Sequence, residues 1–315
     1  MGESIDLRLG TPIENRRTGA GIEGMAEAEL ERSQRLAAIR EGRLASIHSW
    51  ELVTAVDGPG TRLTVFFSGC PLRCVYCHNP DTMEMRRGQD VQLEELVRRI
   101  KRYRRVFSSS GGGITLSGGE VLMQPAFARN VLQAAKEMGV HTAIDTSGYL
   151  GAVADDAFLD NVDLVLLDVK SGTEESYKAL TGRPLQPTLD FGNRLAARGT
   201  TVWIRFVVVP GWTDSEENVE AIAENIAPWK QVVERVEVLP FHNMGQDKWD
   251  ALGMEYKLRD AQPPSKETVE RVREQFRARG FMTYCPAPRR GRGPRRRCSP
   301  RHRPPRRARR GPIRA

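Results

Sequence analysis

The sequence predicts an α/β protein whose core is a partial (β/α)6 TIM-like barrel, with a doubly wound open sheet as the competing arrangement. Three observations carry this. Apolar, β-branched runs of strand length recur six times between residues 44 and 286. Stretches with helical periodicity separate them. The chemically unusual residues sit late in those runs or just after them, where the loops of a parallel sheet converge on one site. The flanks, 1–43 and 287–315, show none of these features and read as a flexible N-terminal extension and a disordered, Arg/Pro-rich tail.

In chain order the strand runs are "TRLTVFFSG" (61–69), "GGITLSG" (112–118), "VHTAIDTSG" (140–148), "VDLVLLDVK" (162–170), "TVWIRFVVVP" (201–210) and "VERVEVLPFH" (233–242). Between them, "LEELVRRIKRYRRVF" (93–107) repeats apolar residues at helical spacing. "PAFARNVLQAAKEMG" (125–139) opens on Pro125, suited to a first turn, and stops at Gly139. "SEENVEAIAENI" (215–226) starts on a Ser215 cap, and "SKETVERVREQFRARG" (265–280) runs from Ser265 to Gly280. A charged segment at 25–40 is compatible with a helix but lacks a clear apolar face. Cys70 follows the first strand; Gly118, Gly119 and Glu120 follow the second. Asp145 and Thr146 end the third, Asp168 and Lys170 the fourth. Arg205 lies in the fifth and His242 follows the sixth.

Hydrophobic residues make up 39% of the 315, low for a wholly folded chain and consistent with polar extensions. The first 30 residues lack an apolar secretory core, and the longest apolar runs are too short to cross a bilayer. The expectation is a soluble cytoplasmic protein with no membrane contact, in a reducing compartment where clustered cysteines ligate metal. The net charge of +8 misleads. Thirteen arginines and no acidic residue lie in 286–315, which leaves −5 for the rest. Such a tail fits an arm for nucleic acid or another acidic partner. Without apolar periodicity or an aromatic, it is read instead as an extension with no specific nucleic-acid role, because arginine runs attract any polyanion.

Three of the five cysteines, Cys70, Cys74 and Cys77, fall within "SGCPLRCVYCHNPDT" (68–82). A structural zinc takes four ligands, often as two knuckles, and the next cysteine is Cys285. His78 is adjacent to Cys77 and would strain a tetrahedral site. A redox pair would need only Cys74 and Cys77. A cubane iron–sulfur cluster takes four thiolates, one per iron, so three leave one iron open to substrate. Cys285 and Cys298 read as a small buried thiol and a tail residue.

Cys-x3-Cys-x2-Cys with Tyr76 before the last cysteine is the signature of the radical S-adenosylmethionine superfamily, which this chain resembles; more closely, it resembles the glycyl-radical activases. The resemblance runs from about residue 47 to 284. Its blocks are "AVDGPGTRLTVFFSGCPLRCVYCHNPDT", "YRRVFSSSGGGITLSGGEVLMQ", "HTAIDTSGY", "DLVLLDVK", "WIRFVVVPGWTD", "LPFHNMGQDKW" and "PPSKETVERV". It implies a radical-type barrel with one 4Fe–4S cluster on Cys70, Cys74 and Cys77, whose open iron holds S-adenosylmethionine. A one-electron cleavage would release methionine and a 5′-deoxyadenosyl radical, which would take a hydrogen atom from a glycine α-carbon of a partner enzyme.

By the same resemblance, Tyr76, Cys77, His78, Gly118, Gly119 and Glu120 bind S-adenosylmethionine. Asp168, Val169, Lys170, Arg205 and His242 contact it or the substrate loop, and Asp57 holds the target peptide. Asp145, Thr146, Asp168 and the backbone oxygen of Leu166 would ligate a monovalent cation, Na or K. Related activases carry further cysteine clusters, whereas 79–284 contains none, which favours pyruvate formate-lyase and its glycine loop as partner. The alternatives are another glycyl-radical enzyme as substrate, or a zinc protein with a nucleic-acid-binding tail. The resemblance further implies flavodoxin or ferredoxin as electron donor, a monomer, and a place in anaerobic glucose metabolism. A barrel of six strands, open at one side, would admit a peptide loop that a closed eight-stranded barrel excludes.

Overall fold

In the computed structural model, which describes residues 21–54 and 56–284, one sheet of eight strands organises the chain. The strands are β1 (Leu44–Thr54), β2 (Arg62–Phe67), β3 (Gln89–Gln92), β4 (Gly113–Gly118), β5 (His141–Thr146), β6 (Leu164–Asp168), β7 (Val202–Val208) and β8 (Val233–Pro240). Their spatial order is β3-β1-β2-β4-β5-β6-β7-β8. From β2 to β8 every pairing is parallel, and these are the six strands the apolar runs mark. Each new parallel strand is added on the same side as the last. A doubly wound sheet would reverse direction at a switch point, so the order decides for the barrel.

Two strands were not foreseen. β1 pairs antiparallel with both β2 and β3 and extends the sheet to eight. Its buried residues mix Leu44, Ala45 and Ile47 with Ser46, His48 and Ser49, which interrupts its apolar signature, and β3 is four residues long with Val91 as its one apolar side chain. The edges β3 and β8 do not pair with each other, so the sheet stays open despite its eight strands.

The helices are α1 (Arg32–Arg40), α2 (Leu93–Ser110), α3 (Pro125–Glu137), α4 (Asp156–Leu159), α5 (Glu174–Thr181), α6 (Gln186–Arg198), α7 (Glu216–Ile226), α8 (Gln246–Ala251) and α9 (Lys266–Ala278). Ser215 and Ser265 cap as expected: their hydroxyls accept from the amides of Asn218 and Thr268. Pro125 opens α3, and Gly139 follows it at φ +68, a backbone that glycine adopts without strain.

Strand alternation sorts the side chains. Ile114, Leu116, Ile144, Ile204 and Phe206 are buried in one continuous apolar core with Phe127, Val131, Ile222 and Phe276 from the helices. Each such side chain stabilises the fold by about 1.5–3 kcal/mol. The intervening residues Thr64, Thr115, Asp145 and Arg205 turn to the other face. Arg205 on β7 comes within 3.8 Å of Asp57, whose oxygens accept from Thr64 on β2 and Thr115 on β4. Three interstrand steps of about 4.8 Å separate β4 from β7 in a flat sheet, so the sheet curls and makes this face concave.

Part of the N-terminal extension is docked rather than flexible. Ile22 and Met25 join the core, and Ala28 donates to the Asp90 carbonyl. Arg35 grips the Asp90 carboxylate with two nitrogens, and the Trp50 indole donates to the Glu23 carbonyl beneath the Arg99 guanidinium. The apolar anchors precede α1, so periodicity within the helix did not reveal them. The chain divides into units Met1–Tyr284 and Cys285–Ala315, and the fold described is that of the first. The remainder of the extension and the tail, with Cys285 and Cys298, lie outside the described residues. Among the described residues no helix is long and apolar enough to cross a membrane.

Candidate active site at the carboxyl edge of the sheet

The chain leaves β2 at Gly69 and forms the loop that carries Cys70, Cys74 and Cys77. Three neighbours fix its course. The Gly69 and Cys70 amides donate to Thr82 and Met83, and Gly69 in turn accepts from the Glu120 amide at 2.8 Å. The Arg73 and Val75 amides donate to Thr181 and Leu180 at the end of α5. On the far side, the Trp249 indole donates to the Cys77 carbonyl at 2.8 Å. His78 stacks on His242 with ring centres 4.0 Å apart, and its Nε2 donates to the His242 carbonyl at 2.9 Å. A loop that follows β2 is thereby tied to one that follows β8, five strands away. Gly119 is required here, since a Cβ would lie 2.4 Å from the Gly69 carbonyl oxygen.

Cys74 is buried and the other two thiols are half-buried. Burial first, then the Cys74 sulfur, pushes the Cys77 thiol up to about 12, and burial likewise raises Cys70 and Cys74. Such thiols become thiolates only when a metal replaces their protons. Among the described residues no three or more His, Cys, Asp or Glu side chains gather as a single ion requires. A cubane differs, because each thiolate binds its own iron. Burial and the nearby His242 also bring His78 down to about 4, so its imidazole is neutral.

On the concave face, Arg205 Nη1 lies 2.9 Å from Asp145 Oδ2, which also accepts from Ser117. Burial lowers the Arg205 pKa, but Asp145, Asp168, Asp57 and Glu237 outweigh it and hold the guanidinium above its ordinary range. Burial raises Asp145 in spite of Arg205. Lys170 donates to Asp168 at 2.5 Å, with its ammonium 5.6 Å from the Tyr76 ring centre. Three buried polar atoms in this region lack a hydrogen-bond partner within the described chain: Tyr76 Oη, Asp145 Oδ1 and Arg205 Nε. Together with the three soft thiols and the glycine cradle, they fit a cluster with a polar organic cofactor beside it.

The sequence-derived residues therefore meet. Glu120 is 1% exposed and its carboxylate accepts from Leu122, from the Thr146 hydroxyl at 2.6 Å and from Ser147 twice. This binds the loop after β4 to the end of β5 and the residue that follows it. The Val169 side chain is in the core, and its amide donates to the Arg205 carbonyl. The Leu166 side chain is buried, and the residue pairs in register with Asp145. Gly118, at φ +116, could not carry a Cβ, which would meet the Phe67 amide nitrogen at 2.1 Å. Sequence reasoning missed Lys248, Trp249, Asp81 and His48. "LPFHNMGQDKW" and "CHNPDT" contain three of them, but nothing local says that they touch.

The class that this fold and loop define is the radical SAM superfamily, whose family model matches residues 64–223. A radical SAM methyltransferase from Sphaerobacter thermophilus shares the fold, with a TM-score of 0.54 at 17% identity over 81% of each chain. The pyruvate formate-lyase-activating enzyme of Clostridium pasteurianum is 46% identical over 229 residues, 73% of this chain and 95% of that protein. The pyruvate formate-lyase 1-activating enzyme of Escherichia coli K12 is 43% identical over 232 residues, 73% of this chain and 94% of that protein. The chain belongs to the radical SAM superfamily and, within it, to the family of pyruvate formate-lyase-activating enzymes.

Proposed function

We propose that the chain generates a glycyl radical on pyruvate formate-lyase. The observation that carries this reading is the loop of Cys70, Cys74 and Cys77, pinned on three sides at the carboxyl edge of an open parallel sheet. When bound, a 4Fe–4S cluster and S-adenosylmethionine supply a 5′-deoxyadenosyl radical that removes a hydrogen atom from a glycine α-carbon.

The chain's own residues hold and orient. Cys70, Cys74 and Cys77 ligate the cluster. Tyr76, His78 and His242 line the cofactor from the loops after β2 and β8, with Gly118 and Gly119 giving its polar end close backbone approach. Lys170 and Arg205 offset its carboxylate and the surrounding acids. A monovalent cation would use the unpartnered Asp145 Oδ1 with Asp168 and the Leu166 carbonyl. Asp57 meets the glycine loop, which enters at the unclosed side of the sheet. Flavodoxin or ferredoxin supplies the electron, and the enzyme works as a cytoplasmic monomer.

The test is anaerobic reconstitution with iron and sulfide, followed by mixing with S-adenosylmethionine, a reductant and pyruvate formate-lyase. A doublet glycyl-radical signal in electron paramagnetic resonance is expected. A reduced cluster that yields no such signal, but yields one with another glycyl-radical enzyme, replaces the substrate.

A further inference from the structure

This inference rests on the reading above, in which Asp57 meets the partner's glycine loop, and asks what aims Asp57. Asp57 opens the turn 57–60 that leads into β2, at the edge of the sheet opposite the thiol loop. Its carboxylate reaches the concave face, 3.8 Å from Arg205. The side chain beneath the turn is that of Arg62, the first residue of β2 and fully buried.

Each nitrogen of the Arg62 guanidinium has an acceptor. Nε donates to the Thr115 hydroxyl at 2.6 Å. Nη1 donates to the Pro59 carbonyl at 3.2 Å and lies 3.3 Å from Nδ1 of His141. Burial, then Arg62 itself, lowers the His141 pKa, so the neutral ring can offer that nitrogen as an acceptor. Nη2 donates to the carbonyls of Ile114 and His141. None of these acceptors is a carboxylate. Burial lowers the Arg62 pKa to about 10, with Asp57 and Asp163 opposing, and the group stays a cation at neutral pH. A charge buried without an ion pair costs stability, and packing alone would favour an apolar side chain of similar volume. The turn is moulded on this side chain. The Thr115 hydroxyl that accepts from Arg62 donates in turn to the Asp57 carbonyl at 2.6 Å. Gly58, at φ +125, lies flat against it, since a Cβ there would come 2.8 Å from Arg62 Cδ.

We propose that Arg62 is a positioning residue of the reaction: it fixes the turn 57–60 through Thr115, Gly58 and Pro59, and so aims the Asp57 carboxylate at the partner's glycine loop. Gly60 closes the other side of the turn, its Cβ position 2.5 Å from the Gly112 amide nitrogen. The Asp57 carboxylate is left between Thr64, which donates to Oδ2 at 3.3 Å, and Arg205. Fully buried, Arg62 touches neither cofactor nor peptide, and its effect on the reaction passes through Asp57. A carboxylate set in place beforehand meets the peptide without further ordering on binding.

The test uses the full chain, reconstituted anaerobically, with a synthetic peptide of the pyruvate formate-lyase glycine loop as substrate. Arg62→Met removes the charge at similar length. Thr115→Val keeps the shape of its side chain and cuts the link from Arg62 to Asp57, and it decides the matter if Arg62→Met does not fold. For both variants the KM for the peptide is expected to rise about tenfold while kcat changes less than about threefold. S-adenosylmethionine affinity, by calorimetry, should stay at the parent's value. Independently of activity, the amides of residues 57–61 in the cluster-free protein should exchange with deuterium about tenfold faster, and those of the thiol loop at the parent's rate. An unchanged KM, unchanged exchange, or a KM that rises only together with loss of S-adenosylmethionine binding overturns the positioning role. A parent protein that takes no hydrogen atom from the peptide overturns the reading of the site itself, and Arg62's part in the reaction with it.

Discussion

His48 Nε2 lies 2.9 Å from Asp81 Oδ2 with both side chains at most 4% exposed, and the pair joins strand β1 to the segment that follows the three cysteines. Asp81 Oδ1 is 3.5 Å from Lys248, which also reaches Asn79 from α8. The clasp thus holds the thiol loop between the antiparallel edge of the sheet and the chain beyond β8. Asp81→Ala removes the buried carboxylate that both His48 and Lys248 face, and breaking such a buried pair costs about 3–5 kcal/mol. The expected result is a melting temperature about 10 °C lower at pH 7, with poorer cluster retention on gel filtration. Burial raises the Asp81 pKa, but the His48 hydrogen bond and the positive groups outweigh it and hold the carboxyl below its usual range. A depressed carboxylate stabilises above the unfolded value of about 3.9 and loses that contribution as pH falls through the folded value. The gap between variant and parent should therefore close below about pH 4, and a gap unchanged by acid would count against the clasp.

Glu120→Gln tests whether Glu120 supports the site rather than touching the cofactor. Its four hydrogen bonds all come from donors: two amides and the hydroxyls of Thr146 and Ser147. A glutamine offers one carbonyl and sets an amide N–H against those donors, at a cost of about 1–3 kcal/mol. We expect a lower melting temperature already in the cluster-free protein, and weaker S-adenosylmethionine binding by calorimetry. Weaker binding with cluster-free stability intact would instead return Glu120 to direct contact.

The thiol loop was legible because its chemistry is local: three cysteines at fixed spacing after an apolar run. The six parallel strands were legible because burial against helices demands continuous apolar residues in each. β1 escaped because its buried polar side chains His48 and Ser49, which satisfy one another and Asp81, interrupt the apolar pattern begun by Ala45 and Ile47. The site residues were placed at the right edge, but their partners were not. Glu120 on Thr146 and His78 on His242 are contacts between strand ends 26 and 164 residues apart, which only the order of strands creates.

Cys74→Ala separates cluster from fold. The Cys74 thiol is buried and held neutral, and the loop's course is set by backbone hydrogen bonds that alanine keeps. The variant should retain its far-UV circular dichroism and elute as the parent does. After reconstitution it should lack the brown absorbance, bind little iron and sulfide, and form no glycyl radical. Full iron content in Cys74→Ala would mean that the cluster is held elsewhere.

Arg205→Met isolates the charge balance on the concave face. Arg205 Nη1 is 2.9 Å from Asp145 and 3.8 Å from Asp57, and Nε is 3.7 Å from Glu237. A methionine of similar length keeps the packing and removes a guanidinium that faces all three. Burial already holds Asp145 above its usual range with Arg205 opposing it, so loss of the guanidinium raises it further. A carboxyl whose folded pKa is raised costs nothing while protonated in both states. It costs stability once pH exceeds the unfolded value of about 3.9, and increasingly so until the folded value is passed. The cluster-free variant should therefore melt close to the parent near pH 4 and fall progressively below it towards pH 8, with Arg205→Lys in between. A constant deficit across that range would mean that Arg205 acts through packing alone, and that Asp145 does not depend on it for its charge.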